Sequence, residues 1–128
     1  MRLLLDTNAF LWLMTEPEKL SAKARAACED PDNELLLSVV TAWEIQIKLQ
    51  LGKLELDDPL ADVIERQQKR NNAQLLPIEL AHIYALGDLE HHHRDPFDRL
   101  LIAQARVEDA DLVTHDRVIA DYTVKVLW

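Results

Sequence analysis

Four acidic residues stand where solvated acids are not expected: Asp6, Glu44, Asp98 and Asp116. Asp6 follows three leucines directly, and Asp116 closes the run Leu112-Val113-Thr114-His115. Glu44 shares a stripe with Val40, Ile47 and Leu51, and Asp98 lines up with Leu101, Ile102 and Ala105. Such offsets of three and four residues share one face of a helix, and an unpaired acid turned inward on it is costly. Carboxylates gathered in one place repel unless a cation is shared among them. An oxygen-only set suits Mg²⁺ or Mn²⁺ far better than Zn²⁺. Such ions generate hydroxide, hold a phosphodiester in line and stabilise its leaving oxygen.

Each acid also has a plainer reading. Asp6 or Asp116 alone is an ordinary cap after a strand. Glu44 can be half of a buried salt bridge with Lys48, and its helix alone leaves both readings open. In Asp95-Pro96-Phe97-Asp98, Asp95 reads as the N-cap and Asp98 as the third helical residue, both favoured at the positive helix terminus. Capping accounts for Asp95 better than for the inward direction of Asp98. The combination carries the weight: two strand-end acids beside two acids facing inward on helices.

The elements that must position them follow from hydrophobic periodicity and punctuation. Arg2–Leu5, Leu35–Ser38, Gln74–Leu76, Asp111–Thr114 and Val124–Leu127 read as short strands. Helices are expected over Ala9–Met14, from Pro17 with a Ser21 cap through Cys28, and over Val40–Leu51 before Gly52. Further helices are expected from Asp58-Pro59, a cap followed by a proline, to Asn71, over Glu79–Leu86, and from Asp95-Pro96 through Val107, with at most a short one in Asp116–Asp121. Strands alternating with helices imply a three-layer α/β/α sandwich around a mainly parallel sheet. Ligands of such sheets bind beyond the carboxyl ends of the strands. Asp6 and Asp116 stand at two of those ends.

The 128 residues, 48% hydrophobic and 29% charged, are read as one globular domain over 1–128. No apolar run reaches membrane-spanning length. Leu3–Leu5 with Ala9–Met14 resembles a signal-peptide core, but Asp6 and Asn8 interrupt it and no cleavage pattern follows. The lone Cys28 is read as a small helix-borne hydrophobe, in keeping with a cytoplasmic protein. Two glycines, Gly52 and Gly87, exclude both common glycine-rich phosphate loops. The net charge of −9 argues against broad nucleic-acid binding and for local positive charge or a basic partner. Asn8 stands where a haloacid-type phosphatase needs its second Asp, and Leu76-Pro77 ends the strand where a receiver domain needs an acid. The run His91-His92-His93 lacks cysteine partners at zinc spacing and reads as a polar loop near the active edge. Trp12, Trp43 and Trp128 read as core or interface residues.

Leu3-Leu4-Leu5-Asp6-Thr7-Asn8 resembles the opening of PIN-domain nucleases, and Ser38-Val39-Val40-Thr41-Ala42-Trp43-Glu44-Ile45 is similar to their second acidic motif. His93-Arg94-Asp95-Pro96-Phe97-Asp98-Arg99-Leu100-Leu101-Ile102-Ala103-Gln104-Ala105 resembles the third, in a form typical of one subgroup of VapC-type toxins. Val113-Thr114-His115-Asp116 and the ending Val124-Lys125-Val126-Leu127-Trp128 fit the same subgroup. The resemblance implies a Mg²⁺- or Mn²⁺-dependent endoribonuclease, the toxin of a toxin–antitoxin pair, acting on RNA as a homodimer. Its cognate antitoxin would mask the site and repress the operon. Asp6, Asp98 and Asp116 would be metal ligands, Asp116 directly or through water, with Glu44 orienting the attacking water or a second ion. Thr7, Asn8 and Thr114 would hold carboxylates or waters, and Arg99 would touch either phosphate or an acid of its own protein. The alternative is a catalytically degenerate PIN-like domain acting as a binding partner.

Overall fold

The structure is a computed structural model that describes residues 1–93 and 95–128; Arg94, inside the third motif, lies outside them. Five parallel strands form the sheet in the order β3-β2-β1-β4-β5. They are β1 (Arg2–Leu5), β2 (Glu34–Ser38), β3 (Gln74–Leu76), β4 (Asp111–Val113) and β5 (Val126–Leu127). Between them run α1 (Thr7–Thr15), α2 (Ala22–Glu29), α3 (Val39–Gln50), α4 (Leu60–Asn71), α5 (Leu80–Leu86) and α6 (Pro96–Val107). Single 3₁₀ turns occupy Pro17–Lys19 and Ile119–Asp121. The architecture is the three-layer parallel sandwich expected from the sequence, with boundaries moved by one or two residues. Among the described residues, no helix is long and apolar enough to cross a membrane.

A parallel strand covered on both faces reads as an unbroken apolar run, and β1 shows why. Leu3 and Leu5 enter one core with Phe10, Ala24, Cys28 and Val63, whereas Leu4 enters the other with Leu101, Ile102 and Leu112. Thus α1, α2 and α4 cover one face of the sheet and α6 the other. Helix α3 straddles the two, giving Ile45 to the first core and Val40 to the second.

The inward stripe of α3 consequently differs from the expected one. Its buried residues are Val40, Thr41, Glu44 and Ile45, while Ile47 is half-buried and Leu51 is 62% exposed. Two facing layers make apolar residues useful on more than one side of a helix, so phase alone misassigned that flank. A second correction concerns Asp58, which pairs with Arg66 at 2.9 Å instead of capping α4; Pro59 takes the cap position without a side-chain bond. Gly52 ends α3 as expected, at φ +70°, a conformation that L side chains resist.

The strand order reverses at β1, whose chain leaves toward β2 while β4 on its other side leads to β5. The crevice above such a switch point is where open parallel sheets place ligands. Asp6 extends the β1–β4 ladder into it, its N–H donating to the Val113 carbonyl at 3.1 Å.

Beneath the crevice Ser38 joins the layers. Its buried hydroxyl accepts from Val40 N at 3.0 Å and donates to Gln104 Oε1 at 2.5 Å. Ser38→Ala removes a helix cap and strands a buried acceptor, so it is expected to lower unfolding free energy by about 2 kcal/mol in urea titration.

Candidate metal centre

The four acids expected from the sequence converge on one open cleft of about 350 Å³. Asp6, Thr7, Asn8, Trp12, Glu44 and Lys48 line one part of its wall, and Asp95, Asp98, His115 and Asp116 the rest. Each acid arrives from a different element. Asp6 is the N-cap of α1, its Oδ1 accepting from Ala9 N at 2.8 Å. Glu44 projects from the inward side of α3. Asp98 sits in the first turn of α6, and Asp116 follows β4, its N–H donating to Thr114 Oγ1 at 3.1 Å.

Support for these charges is uneven. Glu44 is only 5% exposed, yet both its oxygens are met: Thr7 donates to Oε1 at 2.6 Å and Lys48 pairs with Oε2 at 2.7 Å. The salt-bridge reading and the site reading of Glu44 are therefore the same geometry. Asp6 is 6% exposed. Burial raises its carboxyl above the usual range, the Thr114 hydroxyl and Ala9 N–H pull it back, and Asp116 and Glu44 push it up again. Asp98 is raised as well, to about 7, first by burial and then by the neighbouring Asp95 charge; His93 opposes this, and Glu44 and Asp6 add to it.

Asp6 and Asp98 are both held above their ordinary range by burial and by neighbouring carboxylates, a repulsion that a shared cation would relieve. Apart from the His115 ring, the ligating groups that line the cleft are carboxylates, so the residues present fit a hard divalent ion such as Mg²⁺ or Mn²⁺.

A profile of the PIN domain matches residues 3–125. The chain belongs to the PIN-domain family. Ribonuclease VapC16 of Mycobacterium tuberculosis is 37% identical over 60 residues, which is 47% of this chain and 43% of the relative; the chain thus spans less than half of that relative's length. VapBC2 from Rickettsia felis, solved bound to a DNA fragment from its promoter, superposes with a TM-score of 0.74 at 15% identity. That match covers 100% of this chain and 98% of the other. VapBC-1 from nontypeable Haemophilus influenzae gives 0.65 at 21% identity, covering 99% and 97%. At such identities these structures speak for the fold.

In this PIN domain Thr7 donates to Glu44, Thr114 donates to Asp6, and Asn8 lines the cleft. Arg99 goes elsewhere. Its Nη1 donates to the Glu90 carbonyl at 2.7 Å and to Tyr122 Oη at 3.2 Å, fastening the loop before α6, and it does not line the cleft.

Sequence reasoning passed over two residues. Asp95 caps α6 through Phe97 N at 2.8 Å, yet also lines the cleft and acts on Asp98. His93 was taken as part of a polar loop, but its Nε2 lies 2.9 Å from Asp116 Oδ2 and 3.2 Å from Asp98 Oδ2. Its place two residues before a capping Asp, near an inward acid, was the available signal.

The raised carboxyl of Asp98 sets a pH dependence. A carboxyl that holds its proton more tightly when folded than when unfolded adds stability at low pH. That stability is lost as pH rises from about 4 toward about 7. In metal-free buffer Asp98→Asn should therefore melt several degrees above the wild type at pH 8, the gap closing toward pH 4. An equal gap at both pH values would contradict this account. Asp95→Ala should cost about 1 kcal/mol through the lost cap. It should also shift the acid limb of any activity profile to lower pH, because it removes a like charge beside Asp98.

Proposed function

We propose that this chain is a divalent-metal-dependent endoribonuclease, the toxin of a VapBC-type pair held in check by a cognate antitoxin. The observation that carries the reading is the convergence of Asp6, Glu44, Asp98 and Asp116 on one cleft at the switch point of a PIN-domain sheet. The partial likeness to a ribonuclease, and the VapBC structures among the fold neighbours, support the substrate and the partner.

Asp6 and Asp98 would hold the ion, with Asp116 joining directly or through water. Bound there, Mg²⁺ or Mn²⁺ would supply a Lewis acid that favours hydroxide formation and offsets charge on the phosphodiester. Glu44 orients the attacking water, since its pairing with Thr7 and Lys48 fixes the carboxylate while each oxygen keeps a lone pair. Lys48 is the only lysine or arginine among the described cleft residues and is placed to meet a phosphate oxygen.

Five acids against one lysine make the cleft attractive to a basic segment, which is the chemistry expected of an inhibiting antitoxin. Exposed Leu80, Ile83 and Tyr84 share one face of α5 and suit packing against a second copy in a homodimer.

Pure protein should cut RNA in Mg²⁺ or Mn²⁺, lose activity with a chelator and regain it when the metal is restored. Asp6→Asn and Asp98→Asn should reduce cleavage to background while remaining folded by circular dichroism. No cleavage with any divalent ion, and no growth arrest on expression, would leave the degenerate PIN-like domain as the better reading.

A further inference from the structure

His93 has no role in the chemistry described so far, yet it is the group that joins two of the four acids. The ring's two nitrogens are used differently. Nδ1 accepts the Asp95 backbone N–H at 3.1 Å, so it carries a lone pair and the hydrogen belongs on Nε2. That Nε2–H faces Asp116 Oδ2 at 2.9 Å and Asp98 Oδ2 at 3.2 Å. In this tautomer the ring has no lone pair to offer a cation and acts as a donor shared by both carboxylates.

The rest of the arrangement fixes where that donor can be. The N–H groups of His92 and His93 both donate to Tyr122 Oη, at 3.0 and 2.7 Å, and Arg99 Nη1 meets the same oxygen at 3.2 Å. Tyr122 is itself buried. Asp116 Oδ1 is occupied by Val118 N at 2.9 Å. With both its oxygens engaged, Asp116 cannot rotate freely. Asp98 is held by one oxygen, and its Oδ1 has no partner among the described residues.

We propose that His93 is a positioning residue of the cation site: its Nε2–H clamps Asp98 and Asp116 in register and leaves Asp98 Oδ1 to face the ion. This rests on the cation reading above. Donors that orient metal-binding side chains are worth about 10- to 100-fold in metal affinity.

The test is Mn²⁺ binding to RNA-free protein, followed by the electron paramagnetic resonance of free Mn²⁺. His93→Ala should bind Mn²⁺ about 10- to 100-fold more weakly than wild type. The Mn²⁺ concentration giving half-maximal cleavage should rise in step, while KM for RNA at saturating metal stays unchanged. His93→Gln, whose amide can donate from nearly the same place, should recover most of the affinity. Thermal melting in metal-free buffer identifies any variant that fails to fold, and His93→Gln then carries the comparison. If His93→Ala binds Mn²⁺ as tightly as wild type, or more tightly because the imidazole merely fills the ion's place, the proposal is wrong and the cation reading survives. If wild-type protein binds no Mn²⁺, both fall.

Discussion

Like charges cannot be gathered in a half-dry cleft unless each is separately supported, and much of this structure is devoted to that support. Glu44 is met on both oxygens by Thr7 and Lys48. Asp6 accepts from the first turn of α1 and from Thr114. Asp116 is tied by Val118 and His93, and Asp98 by His93 alone. Asp98, the acid with the least support, is held at about 7 by its burial and by the acids around it. Holding carboxylates together in this way is costly by itself, and the relief of that cost is what a bound cation would supply.

The parallel sheet makes the gathering possible. Strands β1 and β4 end side by side at the point where the chain order reverses, so two loops leave in opposite directions and open a crevice. Helices α3 and α6 then bring Glu44 and Asp98 to the same edge from opposite layers of the core. Neither helix needs a polar stripe for this: one inward acid near each amino-terminal half suffices, because the crevice lies there and the apolar residues further along bury beneath it.

Strand ends were the easiest part to read, because Leu3–Leu5 and Leu112–Val113 are unbroken apolar runs and the acids that close them are unmistakable. The inward side of α6 was legible because that helix meets only one core. Helix α3 meets two, so its apolar residues fall on several flanks. Glu44 is buried while Leu51, which the same stripe places beside it, lies in solvent. His93 was hidden for another reason. Its position depends on Tyr122, reached across 29 residues, and no local pattern announces a tyrosine oxygen that gathers three donors. Asp95 was read as a cap and is one. A cap in the first turn beside an inward acid is also part of that acid's electrostatic environment, and sequence spacing does not separate the two effects.

The overall charge of −9 is at odds with a polyanionic substrate only if charge is treated as a bulk property. Exposed charges act over about 8 Å at physiological ionic strength, so acids on distant helices contribute little at the cleft. What a phosphodiester meets is the local set: five acids, Lys48 and, in the proposed reading, a divalent ion. In the proposed reading this set alone repels RNA and draws in a basic segment, and a bound ion offsets the repulsion at the reacting phosphate. One field would thus serve both partners, with the ion shifting the preference between them. An acidic nuclease restrained by a basic protein segment then requires no separate device for restraint, since the carboxylates that hold the ion are the same ones that would hold the inhibitor.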